Sequence, residues 1–225
     1  MIRTDYPGAA VCAEALADAL ADALGKVLAE KPRATLALSG GRSPRTVLPL
    51  LAAKPIDWSR VDVTLVDERR VHPDHQDSNA GLVRRCFLER GAQAAGFVPL
   101  WTGTMPLDAA LDAATRKLAP ILPCDVAYLG MGTDGHIASL FSAADAAAFE
   151  SATSPVIQSA APSAPRGRIS LTLSELLRVR YLFLHVSNAE KHEVLERAEG
   201  HPPSPAVPVS LLVHKRLDIK IFACP

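Results

Sequence analysis

The residues most able to do chemistry stand together in Gly130-Met-Gly-Thr-Asp-Gly-His136, directly after the apolar run that starts at Asp125. An imidazole titrates near neutrality, so His136 is the natural group to move a proton. Asp134, two residues earlier, can orient that ring. It also has a plain structural reading as the N-cap of a helix opening after Gly135. A strand that feeds a glycine-rich loop and then a helix can hold an anion or a reacting group where water is controlled. The run formally matches G-x-G-x-x-G. No strand ending in an acid follows about 20 residues on, so a dinucleotide is not expected.

Three other segments carry charge or glycine where an apolar run ends. Ser39-Gly-Gly-Arg42 can bring backbone N–H groups close to a phosphate at a helix start, although no Gly-Lys-Ser/Thr of a Walker loop follows. Asp67-Glu-Arg-Arg70 reads either as a solvated charged turn or as a site where one arginine forks onto an anion. Lys191 falls in the first turn of an expected helix, where the helix field disfavours a cation unless an anion is near. His72, His75, His201 and His214 read as surface or loop residues, and His185 as a core residue of a strand.

Positioning these segments requires alternating strands and helices. Helical spacing runs from about Ala9 to Glu30, then from Pro44, with Ser43 as its cap, to about Ala53. Further helices are expected after Asn79, over Pro106–Ala119, briefly after Gly135, at Ser174–Leu177, from Asn188 to Ala198, and at Val209–His214. Strands are expected at Ala34–Leu38, Val61–Val66, Gly96–Leu100, Asp125–Leu129, Val156–Gln158, Arg168–Thr172, Tyr181–Val186 and Ile219–Phe222. The fold class is therefore α/β, a mainly parallel, Rossmann-like sheet covered by helices on both faces. Sites in such sheets lie beyond the carboxyl ends of the strands, where all four segments fall. The Ala-, Ser- and Pro-rich stretch Ser142–Pro165 reads as a surface excursion.

The chain has 225 residues, with 24 basic and 24 acidic side chains. That suits one domain spanning 1–225 and argues against a nucleic-acid partner. No apolar run reaches the roughly 20 residues of a bilayer span, and no signal peptide opens the chain, so a cytoplasmic protein with no membrane partner is expected. The four cysteines, Cys12, Cys86, Cys124 and Cys224, show no CxxC pair or Cys/His metal spacing. They read as reduced, mostly buried thiols, and no metal or cofactor is expected.

Taken in order, these segments resemble the 6-phosphogluconolactonase family, whose fold is that of glucosamine-6-phosphate deaminase. The likeness rests on Leu38-Ser-Gly-Gly-Arg-Ser-Pro44, Val66-Asp-Glu-Arg-Arg-Val71 with Ser78-Asn79, Leu129-Gly-Met-Gly-Thr-Asp-Gly-His-Ile-Ala-Ser-Leu-Phe141, Arg168-Ile-Ser-Leu-Thr172 and Ala189-Glu-Lys191. It implies that His136 is a general base, that Arg69 contacts substrate, that Ser39, Gly40 and Gly41 line a phosphate loop beside Arg42, and that Lys191 holds the phosphate. Asp134 and Asp67 join the catalytic set, Asp67 by holding Arg69 or a hydroxyl. Asn188 stands where relatives usually have glycine, and it tolerates the same left-handed backbone. Ser142 stands where many relatives have proline.

The resemblance implies hydrolysis of the phosphosugar lactone 6-phospho-D-glucono-1,5-lactone to 6-phosphogluconate; a monomer or weak dimer is expected. A deaminase or sugar-phosphate isomerase is the first rival. The chain reads Ser139-Leu-Phe-Ser142 where deaminases carry a glutamate, and Arg69 where they favour an aromatic residue. A non-catalytic phosphosugar sensor is the second rival, and no helix-turn-helix accompanies this chain.

Overall fold

The computed structural model describes residues 1–103, 106–141 and 154–225. Its elements alternate as the pattern requires. They run β1 (Ile2–Asp5), α1 (Ala9–Glu30), β2 (Ala34–Leu38), α2 (Pro44–Ala52), β3 (Val61–Leu65), β4 (Asp67–Arg69) and α3 (Asn79–Cys86). Then come β5 (Gly96–Val98), α4 (Leu107–Leu118), β6 (Val126–Gly130), β7 (Val156–Ala160), β8 (Gly167–Leu171) and α5 (Leu173–Arg178). The chain closes with β9 (Tyr181–Ser187), α6 (Ala189–Gly200), α7 (Pro208–Lys215) and β10 (Lys220–Cys224).

Helix α1 shows why these residues choose their elements. Cys12, Leu16, Leu20 and Leu24 recur every four residues and form its buried stripe, with Ala13, Ala17, Ala23 and Val27 beside them. Pro32 stops it: the residue before a proline is pushed out of the helical region, and Lys31 is extended at φ −128, ψ 151. No helix among the described residues is long and apolar enough to cross a membrane.

Seven strands form one parallel sheet in the order β1-β10-β9-β6-β2-β3-β5. Successive residues of a strand point to opposite faces, and Val126 to Leu129 are all buried, so both faces are covered. From β2 the chain builds outward through β3 to β5, then returns to pair β6 on the other side of β2. The reversal puts a crevice between the carboxyl ends of β2 and β6. There the Ser39 N–H donates to the Tyr128 carbonyl (3.1 Å), and the Gly130 N–H donates to Ser39 Oγ (3.2 Å).

Four sequence expectations need correction. No strand was expected before the first helix, yet Ile2–Asp5 forms a parallel edge strand on β10. Asp67-Glu-Arg-Arg70 is not a solvated turn: β4, β8 and β7 make a second, antiparallel sheet in that order, in which Asp67 and Glu68 are buried. Ser43 is helical (φ −58, ψ −39) and makes no side-chain cap; Pro44 alone shapes that start. No helix follows Gly135 as far as Phe141. Instead Ile137 bridges back to Met131 and to Leu140, turning the loop on itself. Residues 142–153 of the Ala/Ser/Pro excursion lie outside the described residues; its expected strand is β7.

Candidate active site

His136 is placed by a loop that folds back on the end of β6. The Gly132 N–H donates to the His136 carbonyl (2.9 Å), and the Gly135 N–H donates to the Gly132 carbonyl (3.1 Å). Gly135 sits at φ +80, and a side chain there would meet Val207 and Val194. Gly132 is required for a different reason. A Cβ on it would lie 2.2 Å from His136 Nδ1 and 2.5 Å from Asp134 Oδ1. The glycine leaves room for the pair those two residues make.

That pair is the chemical centre of the loop. Asp134 Oδ1 meets His136 Nδ1 at 2.5 Å and accepts the His136 backbone N–H at 3.2 Å. The bond to His136 holds the Asp134 carboxyl below its usual value. An ionised carboxylate on Nδ1 selects the tautomer with its proton there, leaving the Nε2 lone pair free. The Phe141 ring centroid packs 4.6 Å from the imidazole, whose side chain stays 31% exposed and open to water. Since no helix begins here, Asp134 is not a helix cap.

Asp67 ties the other loops to this one. Its Oδ2 accepts from Ser139 Oγ at 2.5 Å, and its Oδ1 accepts from Asn79 Nδ2 at 3.1 Å. Asn79 packs so closely on the Ser39–Arg42 turn that a Cβ on Gly40 would fall 1.7 Å from its Oδ1. One buried carboxylate therefore joins three loops: that of His136, the start of α3, and the glycine turn after β2.

Lys191 stands at the third position of α6, and its N–H donates to Asn188 Oδ1 (3.1 Å). Asn188 has φ +72, so the residue replacing a glycine does adopt positive φ and caps the helix besides. Burial, and then the charge of Arg42, push the Lys191 pKa down. Each cation stands at a helix start, Arg42 just before α2 and Lys191 in the first turn of α6, where the helix field favours an anion. Gly41 follows at φ +107 with open space where a Cβ would stand, so its backbone is accessible. A groove of about 570 Å³ runs between Thr133 and α6, lined by Glu190, Glu193 and Glu196 together with Arg197 and His201.

Arg69 is the expected residue tied least directly to His136. Its Nη1 donates to the Asp77 carbonyl (2.7 Å), and its Nε is buried with no partner among the described residues. Across the antiparallel ladder it pairs with Arg168, which is only 7% exposed. Burial, and then Arg69, push the Arg168 pKa down. Sequence reasoning gave Arg168 no role; the register that sets it beside Arg69 is not legible in either segment alone. It also passed over Glu68, whose carboxylate accepts the N–H groups of Arg69 (2.6 Å), Asn79 (2.8 Å) and Ala80 (2.7 Å) and the Ser78 hydroxyl (3.2 Å).

A parallel sheet with glycine- and charge-rich loops at its carboxyl ends, around a topological switch point, defines the class: a Rossmann-like α/β protein. Within that class the chain belongs to the family described as glucosamine-6-phosphate isomerases/6-phosphogluconolactonase, whose model matches residues 7–220. The 6-phosphogluconolactonase of Pseudomonas putida is 40% identical over 201 residues, covering 88% of this chain and 82% of its own length. A crystal structure of a 6-phosphogluconolactonase from Shewanella baltica OS155 superposes with TM-score 0.94 at 31% identity, covering 100% of this chain and 98% of that one. A monomeric glucosamine-6-phosphate deaminase shares the fold at TM-score 0.81 and 18% identity, covering 100% of this chain and 97% of that one.

Proposed function

We propose that this chain hydrolyses 6-phospho-D-glucono-1,5-lactone to 6-phosphogluconate, the lactone-opening step of the oxidative pentose phosphate pathway. The observation that carries the mechanism is the 2.5 Å contact between Asp134 and His136 Nδ1, which leaves Nε2 free as a base. The phosphate is held by the Ser39–Gly41 turn with Arg42 and Lys191. Its binding energy orients the sugar ring.

Nε2 of His136 takes a proton from water as the water oxygen attacks the lactone carbonyl. Arg69 supplies positive charge for the oxyanion. The tetrahedral intermediate then collapses, breaking the bond from the acyl carbon to the ring oxygen. The imidazolium returns its proton to that departing oxygen, and the carboxylic acid ionises to water. Asp134 keeps its charge throughout and steadies the imidazolium. General-base assistance of this kind is worth about 10²–10⁴ in rate. We read the chain as one domain, a reading supported by its 225 residues, and as cytoplasmic, a reading supported by cysteines without paired spacing; we take it as a monomer or weak dimer.

Proton release from fresh lactone, corrected for spontaneous opening, tests the reading. His136→Ala should lower turnover at least about a hundredfold while product binding persists. Full turnover in that variant would remove His136 from its role, and ammonia release from glucosamine 6-phosphate would favour the deaminase reading instead.

A further inference from the structure

Away from the reaction, the fold gathers three soft donors that are remote in sequence. Cys12 comes from α1, His185 from β9 and Cys224 from β10, and all three are buried. One donor atom from each lies within 4.8 Å of the others. Cys224 Sγ is 3.7 Å from His185 Nε2. The other ring nitrogen, Nδ1, lies 3.3 Å from the Tyr128 hydroxyl.

We propose that Cys12, His185 and Cys224 form a binding site for one thiophilic divalent ion of the zinc class, clipping α1 to β9 and β10. The distances fit. A tetrahedral ion with Zn–S of about 2.3 Å and Zn–N of about 2.0–2.1 Å sets sulfur and nitrogen about 3.6 Å apart. The ring is already oriented for the task. With Nδ1–H donated to the Tyr128 oxygen, the Nε2 lone pair faces the sulfurs, the arrangement in which a histidine ligand is held through its second nitrogen. The charge also balances. The ion displaces one proton from each thiol to solvent and forms two metal–sulfur bonds and one metal–nitrogen bond. The product is neutral, as a buried group must be to avoid a large desolvation penalty. Three protein donors leave one tetrahedral position for a water.

Tyr128 and His185 each stand two residues before the carboxyl end of their strands, so the site lies beneath the reactive loops and touches neither His136 nor Asp134 in sequence or hydrogen bonding. The inference is independent of the lactone reading. Since the donors are buried, the ion enters as the chain folds, and its binding energy becomes folding energy.

The test unfolds the full chain under reducing conditions and refolds it with Zn²⁺ or with Co²⁺, then removes unbound metal. A Cys86→Ser/Cys124→Ala variant, which keeps only the clustered cysteines, should retain about one metal per chain. Its Co²⁺ form should show thiolate-to-cobalt charge-transfer absorption, and its melting temperature should rise with free Zn²⁺. Adding Cys12→Ala and Cys224→Ala should remove bound metal and absorption together. Absence of the charge-transfer band in the first variant overturns the proposal, even if the second fails to fold. Equal metal content in both variants overturns it as well.

Discussion

At position 132 a single methyl group would collide with the Asp134–His136 pair. An alanine Cβ there would occupy the space of His136 Nδ1, 2.2 Å away, and of Asp134 Oδ1. Gly132→Ala should therefore swing the imidazole off its carboxylate and lower kcat about 10- to 100-fold. Far-UV circular dichroism should stay unchanged, because the loop borders no strand interior. Unaltered turnover would mean that the pair does not orient the base. Other single residues were equally readable from sequence. Asn188 was expected to accept a glycine's backbone, and it does at φ +72. Lys191 reads as a cation at a helix start, and it sits at the third position of α6, where burial and then the charge of Arg42 depress its pKa. Arg168 was not readable, because its meaning comes from Arg69 across a ladder whose register neither segment encodes alone.

Whole elements were legible wherever apolar periodicity was strong, and they were misread where polar groups choose the backbone path. The segment after Gly135 has the composition of a helix start, yet Ile137 bridges to Met131 and Leu140, so the chain turns. Asp67-Glu-Arg-Arg70 reads in sequence either as a solvated turn or as an anion site, because nothing local shows the donors that bury Glu68. Those donors are the first N–H groups of α3, and Glu68 takes them in place of solvent. Burial pushes the Glu68 carboxyl up while these N–H groups oppose it. Glu68→Gln would set an amide NH₂ against one of those donors. It should cost about 1–3 kcal/mol in urea or thermal unfolding. A negligible change would show that α3 does not depend on this contact.

Helix α6 gives a pH prediction. Burial and Arg42 favour neutral Lys191, so its folded pKa lies below the ordinary lysine value of 10.5. Its positive charge is present only below that lowered value. Calorimetric affinity for 6-phosphogluconate should fall as pH rises through it, earlier than for an ordinary lysine, and Lys191→Arg should flatten the profile. Without ligand the sign reverses. The unfolded lysine keeps its proton to 10.5, so the free protein gains stability between the two values as pH rises. A flat binding profile would separate Lys191 from the phosphate.

At the scale of the whole molecule, α1 buries eight of its 22 residues and packs on α2 and on β2, β6, β9 and β10. Leu20 is fully buried there. Leu20→Ala should destabilise the fold by about 2–5 kcal/mol through lost burial and a residual cavity. Turnover per folded molecule should be unchanged, since Leu20 lies in the middle of α1 and none of the expected site residues is on that helix. A selective loss of turnover would instead tie α1 to the chemistry.

Local sequence is enough for the alternation of strands and helices, for glycine- and charge-rich segments where apolar runs end, and for an Asp134 two residues before His136. These are consequences of apolar period, glycine and side-chain chemistry within short windows. Only the tertiary structure decided which strands are neighbours and which carboxylates are buried. It alone brought Cys12, His185 and Cys224 into one cluster. Register and strand order arise from packing between segments far apart in the chain. No local pattern specifies a distance between residues 12 and 224.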